Sequence, residues 1–153
     1  MSDQANDKQT TDVLNDVLEY LHDSYNGYQE CAKTVCNKEL EELFKMLSTD
    51  REKMIKELEG EIQSFDQTPI KQGSVLGFMH RLFVDLKNLL TGGDNEAIVN
   101  EVKRGEHLLI THYESALEDE NLPGNLQMLL KRQLNSIREN LKKVEITSEQ
   151  QPA

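Results

Sequence analysis

Apolar residues recur along most of this chain at intervals of three and four, the spacing of one helix face and not the alternation of a strand. The first run carries Leu14, Val17, Leu18, Leu21, Tyr25, Tyr28, Ala32 and Val35, with Thr11 or Asp12 placed to cap it. After "CNKE" a second run carries Leu40, Leu43, Phe44, Leu47, Met54, Ile55, Leu58 and Ile62. The stretch "FDQTPIKQGS", rich in turn formers, ends it. A shorter helix is predicted from Ser74 to Leu90, and "TGGD" stops it. Asp94 is placed to cap the next run, with Ile98, Val102, Leu109, Tyr113 and Ala116. "NLPGN" then breaks the chain, and Pro123 suits the first turn of a last helix. That helix carries Leu126, Leu129, Leu130, Ile137, Leu141 and Val144.

Four long helices with a shorter one in the central crossover predict an all-α fold, a four-helix bundle. "GYQECA" at 27–32 and "HYESAL" at 112–117 each lead into a turn and another helix, so the bundle reads as two helical hairpins. Residues 1–10 are expected to be a disordered lead and 147–153 a disordered tail, which leaves 11–146 as a single domain.

The charge changes the picture of partners. With 28 acidic against 17 basic residues the net charge is −11. That argues against nucleic acid or an anionic membrane surface as partner, since both need a positive footprint. No secretory leader and no apolar run of spanning length are visible, so a cytoplasmic protein is expected. Cys31 and Cys36 would point about 140° apart on a helix. They read as two small buried hydrophobes and not as a disulfide.

The chemistry to look for in a helical bundle is a dinuclear metal site. It needs a Glu from each of two helices and a Glu-x-x-His from each of the other two. The only Glu-x-x-His is Glu19 with His22, and a helical wheel puts the pair on the solvent side of the first helix or at its border. In "NEVKRGEHLLITHY", His107 falls opposite the apolar stripe, Gly105 near its centre and Glu106 at its edge. His112 lies about 120° around the helix from Glu106, so the two do not converge.

The second helix places Arg51 at the centre of its stripe, between Leu47 and Met54, and the last helix places Gln133 between Leu130 and Ile137. A charge at mid-bundle must be paired. The expected arrangement is a buried polar layer: an Arg51–Glu106 ion pair, Gln133 completing its hydrogen bonds, and Gly105 leaving the guanidinium room. His80 and Arg81, in the crossover, lie beside an apolar stripe and could face this layer. The alternative is a degenerate metal site for iron or peroxide handling, built from Glu106, His80 and His112. No phosphate loop or nucleophile elbow is present, so catalysis has no specific signal and the balance leans away from an enzyme.

Asp23 with "GY" at 27–28, "GSVLGFMHR" at 73–81, "LKNLLTGGD" at 86–94, "RGE" at 104–106 with Tyr113, "LP" at 122–123, and Gln133 with Ile137 occur in a familiar order. Together they resemble a bacterial family of uncharacterised four-helix-bundle proteins with ferritin-like architecture. The resemblance runs from about residue 12 to 145 and implies a fold more than a function. Members often carry a histidine two residues after a Glu on the last helix; here Glu139 is followed by Asn140 and Leu141. The expectation is therefore a ferritin-like bundle with a structural polar layer and no favoured cofactor, acting as a homo-oligomer or through a protein partner. Iron is the alternative cofactor, and a small-ligand pocket beneath the crossover is a weaker third reading.

Overall fold

The computed structural model of the protein describes residues 2–71 and 95–150. The predicted crossover helix, its cap candidates, and His80 and Arg81 lie outside the described residues. Among the described residues four helices run α1 Ser2–Thr34, α2 Lys38–Ser64, α3 Asn95–Leu117 and α4 Gly124–Glu149, and no strand occurs.

The local signals explain most boundaries. Asn37 caps α2 by accepting the Leu40 N–H on its side chain at 2.9 Å. At the other end Asp66 takes φ 58°, and Gln67 N–H reaches back to Ile62 O while Asp66 N–H bonds Gln63 O. This is a Schellman closure with aspartate in the left-handed position, which its short polar side chain tolerates better than most. Pro123 stands just ahead of α4 as its N-cap, one position earlier than expected.

The start of α1 differs from expectation. The helix runs through residues 2–10, and Thr11 does not cap it: its hydroxyl donates back to Lys8 O at 3.0 Å, inside the helix. Thr10 and Thr11 are buried, so tertiary contact holds this turn where composition alone suggested disorder. At the other end, α4 runs to Glu149, past the expected start of the tail. Cys36 is exposed in the α1–α2 turn, not buried on a helix, because α1 stops two residues before it; both cysteines are free.

α1 packs on α2 and α3, and α4 packs on α3 and α2, so α1 and α4 occupy diagonal corners. Cys36 N–H donates to Asn95 Oδ1 at 3.0 Å, which sets the start of α3 beside the α1–α2 turn. The start of α3 therefore lies at the end of the bundle where α1 meets α2, opposite the end of α2, and the described helices form two antiparallel hairpins. The apolar stripes meet in one core that includes Leu18, Phe44, Leu47, Val102, Leu109, Leu130 and Ile137. Among the described residues no helix is long and apolar enough to cross a membrane.

Removing a core side chain of α4 should cost far more than removing an outer one. Leu130→Ala is expected to lose about 2–5 kcal/mol in denaturant unfolding. Met128→Ala, whose side chain is 73% exposed, should stay within about 0.5 kcal/mol. Equal losses would refute this placement of α4.

Candidate functional site

Arg51 heads the largest fully buried side chains in the described core. It sits on α2 among Leu47, Met54 and Ile55, with its side chain 0% exposed. An arginine there is tolerable only if its donors are met. Nη2 donates to Glu106 Oε2 on α3 at 2.6 Å, and that carboxylate is 1% exposed. Nε donates to Ser24 Oγ on α1 at 3.0 Å, and Nη1 points at Met54 Sδ. The guanidinium carbon lies 5.5 Å from the centroid of the Tyr28 ring, a cation–π contact. One side chain thus ties three helices. Burial, the largest single influence, would lower the Arg51 pKa, but the charge and hydrogen bond of Glu106 together with Tyr28 and Tyr113 outweigh it and the net direction is up. The Tyr28 phenol is pushed well above its usual range, first by burial and then by Glu106.

Gln133 is buried, but it does not complete the bonds of Arg51. It belongs to a second group, where Tyr113 OH donates to its Oε1 at 2.7 Å. Its Nε2 donates to Glu57 Oε1 at 3.1 Å and to Met54 O at 3.4 Å. Arg132 holds the other Glu57 oxygen at 2.5 Å. Burial opposes ionisation of Glu57, yet hydrogen bonds from Arg132 and Gln133 win and hold its carboxyl below the usual range. Burial raises the Tyr113 phenol, and the charge of Arg51 acts in the opposite direction, so the two groups adjoin at Tyr113. Gly105 is buried on α3.

The other expected site residues scatter. His107 is exposed. His112 stacks on Tyr20, with ring centroids 3.6 Å apart, and its Nδ1 lies 3.4 Å from Asp16 Oδ2. Glu106 faces Arg51 while His112 faces α1, so these two members of the alternative metal set do not come together.

Glu19 and His22 correct the reading of α1: both are buried, not on the solvent side. A helical wheel centred on one apolar stripe leaves them outside, whereas α1 also meets the segment at Ile70. Ile70 N–H donates to Asn15 Oδ1 at 2.9 Å, and His22 Nε2 lies 3.3 Å from Ile70 O, where a carbonyl can only accept. Asn15, Glu19, His22 and Asn26 recur at three and four, so the polar residues kept helical period too, and that was the available signal. Burial lowers the His22 pKa, opposed by its bond to Ile70 and by the charge of Glu59.

This geometry defines a ferritin-like four-helix bundle with a charged centre. The chain belongs to the family described as a domain of unknown function (DUF2383), which matches residues 9–119. No curated protein matches it. Among solved structures it is similar to the DPS protein from Vibrio cholerae O1, described as a member of a broad superfamily of ferritin-like diiron-carboxylate proteins. That likeness has a TM-score of 0.72 at 14% identity and covers 94% of this chain and 91% of that one. It is a likeness of fold.

The fold implies a dinuclear carboxylate centre, but the described residues do not fit one. The middle of α2 supplies a guanidinium, α4 supplies an amide, and the α3 carboxylate that meets them, Glu106, is bonded to the arginine. Among the described residues no group of three His, Cys, Asp or Glu side chains could hold a metal ion.

Two outcomes test this site. Arg51→Met and Glu106→Gln each strand one buried partner and should lose about 3–5 kcal/mol, while the double variant Arg51→Met/Glu106→Gln should lose much less than their sum. Additive losses would mean the two residues do not interact. His22 gives a pH dependence whose sign follows from its lowered pKa. The folded state favours neutral His22, so stability is full above the ordinary value of 6.5 and falls as pH drops below it. The unfolding midpoint in denaturant should therefore decline between pH 7.5 and pH 5.5 more steeply in the wild type than in His22→Gln, which keeps an N–H donor. Identical slopes would refute the assignment.

Proposed function

We propose that the protein is a non-enzymatic ferritin-like bundle whose polar layer is structural and which acts through protein association in the cytoplasm. The observation that carries this reading is the Arg51–Glu106 pair, at 2.6 Å and shut off from solvent. A guanidinium keeps its charge at any working pH. Placed where a helical bundle would hold its metals, it repels a divalent ion and already occupies the carboxylate such an ion would need.

A second reading, a degenerate metal protein handling iron or peroxide through Glu106, His80 and His112, draws its support from the fold it shares with a protein described as a diiron-carboxylate superfamily member. It would require Glu106 to leave Arg51 and His112 to leave Asp16 and Tyr20. Anaerobic Fe(II) titration of protein from iron-supplemented cells separates the two. The structural reading expects well under one iron per chain and no oxo-bridged absorption band after exposure to air. Stoichiometric iron with that band would sink it.

A further inference from the structure

We propose that the outer face of α4 docks on the outer face of α1 of a second copy of the chain, an inference that rests on the association reading and names its partner. The argument begins with how charge is divided. Within an acidic chain, α4 carries Lys131, Arg132, Arg138, Lys142 and Lys143 against Glu139, Glu145 and Glu149. All five basic side chains are exposed. Arg132 and Arg138 are held by Glu57 and Glu114, whereas Lys131, Lys142 and Lys143 have no ion-pair partner among the described residues. Met128 and Ile146, 73% and 53% exposed, lie towards the two ends of this basic face.

α1 is the acidic counterpart. Its outer surface presents Asp12 and Asp16, four apart on one face, with Asp7 half-buried before them and Lys8 the one basic residue nearby. Half-buried Val13 and Tyr20 flank these carboxylates and offer apolar contact for Met128 or Ile146. α1 and α4 stand on diagonal corners of the bundle and make no contact with each other among the described residues. They cannot neutralise each other within one molecule.

Symmetry decides which pairing is favoured. Two α4 faces related by a two-fold axis would set lysines and arginines against one another, and two α1 faces would oppose carboxylates. Docking α4 on the α1 of a neighbour matches sign to sign. Such a contact is heterologous, so it closes into a ring or continues as a chain of copies.

The net charge of −11 adds a signature in salt. At very low ionic strength whole-molecule repulsion reaches across the interface. Near 0.1 M the screening length is about 10 Å, which damps that repulsion while contact pairs survive; near 1 M it is about 3 Å and the pairs fail as well. Self-association should therefore peak at intermediate salt.

The test is the mass of the full-length chain by light scattering and sedimentation at roughly 0.01, 0.1 and 1 M salt. The expected result is an oligomer strongest at the middle value. Lys131→Glu/Lys142→Glu/Lys143→Glu and Asp12→Lys/Asp16→Lys, each confirmed folded by circular dichroism, should each associate at least tenfold more weakly. An equimolar mixture of the two should form a complex, because the reversed α4 meets the reversed α1. A mixture that stays monomeric overturns the pairing. A wild type that is monomeric at every salt overturns both the docking and self-association. An oligomer that charge reversal leaves intact overturns the docking alone, with the association reading still standing.

Discussion

The structure depends on the burial of one cation. Taking a guanidinium and a carboxylate out of water costs several kcal/mol each, and their attraction repays that only when the geometry is close and the remaining donors are met. Here Glu106, Ser24 and the Tyr28 ring meet Arg51 from α3 and α1 while the arginine itself stands on α2. The apolar contacts around it, among them Leu47, Met54 and Val102, would tolerate several registers of similar burial. The ion pair would not. A slip of one helical turn, about 5.4 Å, would leave the guanidinium against leucines and the carboxylate without a partner. The pair thus contributes more to choosing a register than to net stability.

The same reasoning extends to α4. Gln133 accepts a hydrogen bond from Tyr113 OH and donates to Glu57 and Met54 O, so α2, α3 and α4 share a second point of register. Between them the two groups engage all four helices. A bundle fixed in this way needs no metal to align its helices. That is consistent with a fold shared at 14% identity with a protein described as a diiron-carboxylate relative. Helical period and an apolar interior carry the fold, and the chemistry at the centre is free to differ.

The sequence was most legible where one residue broke a regular stripe. Arg51 interrupts Leu47 and Met54, and a charge in that place had to find a partner; Glu106 was the carboxylate at the edge of the facing stripe. Gln133 is buried but bonds Tyr113, Glu57 and Met54 O and not Arg51, because a wheel gives direction but not height, and which layer a side chain joins depends on how far each helix is shifted along its axis. The start of α1 was illegible for a different reason. Nothing in "QTTD" shows that Thr10 and Thr11 are covered, since their burial comes from distant chain and not from local propensity.

Glu19 and His22 show the limit of assuming one buried face per helix. α1 is the longest helix, and it meets α2 on one side, α3 on another, and the segment at Ile70 on a third. A helix enclosed from three directions has to bury polar residues, since its apolar stripe covers only part of its circumference. The Ile70 backbone then supplies partners: its N–H goes to Asn15 and its carbonyl receives His22. What remains for solvent on this part of α1 is narrow, and the residues left there are mainly aspartates. The polarity of α1 is therefore divided between groups that fix the crossover to the bundle and groups that give the surface its sign. Helical spacing distinguishes them only once the segment at Ile70 is known to lie along that side.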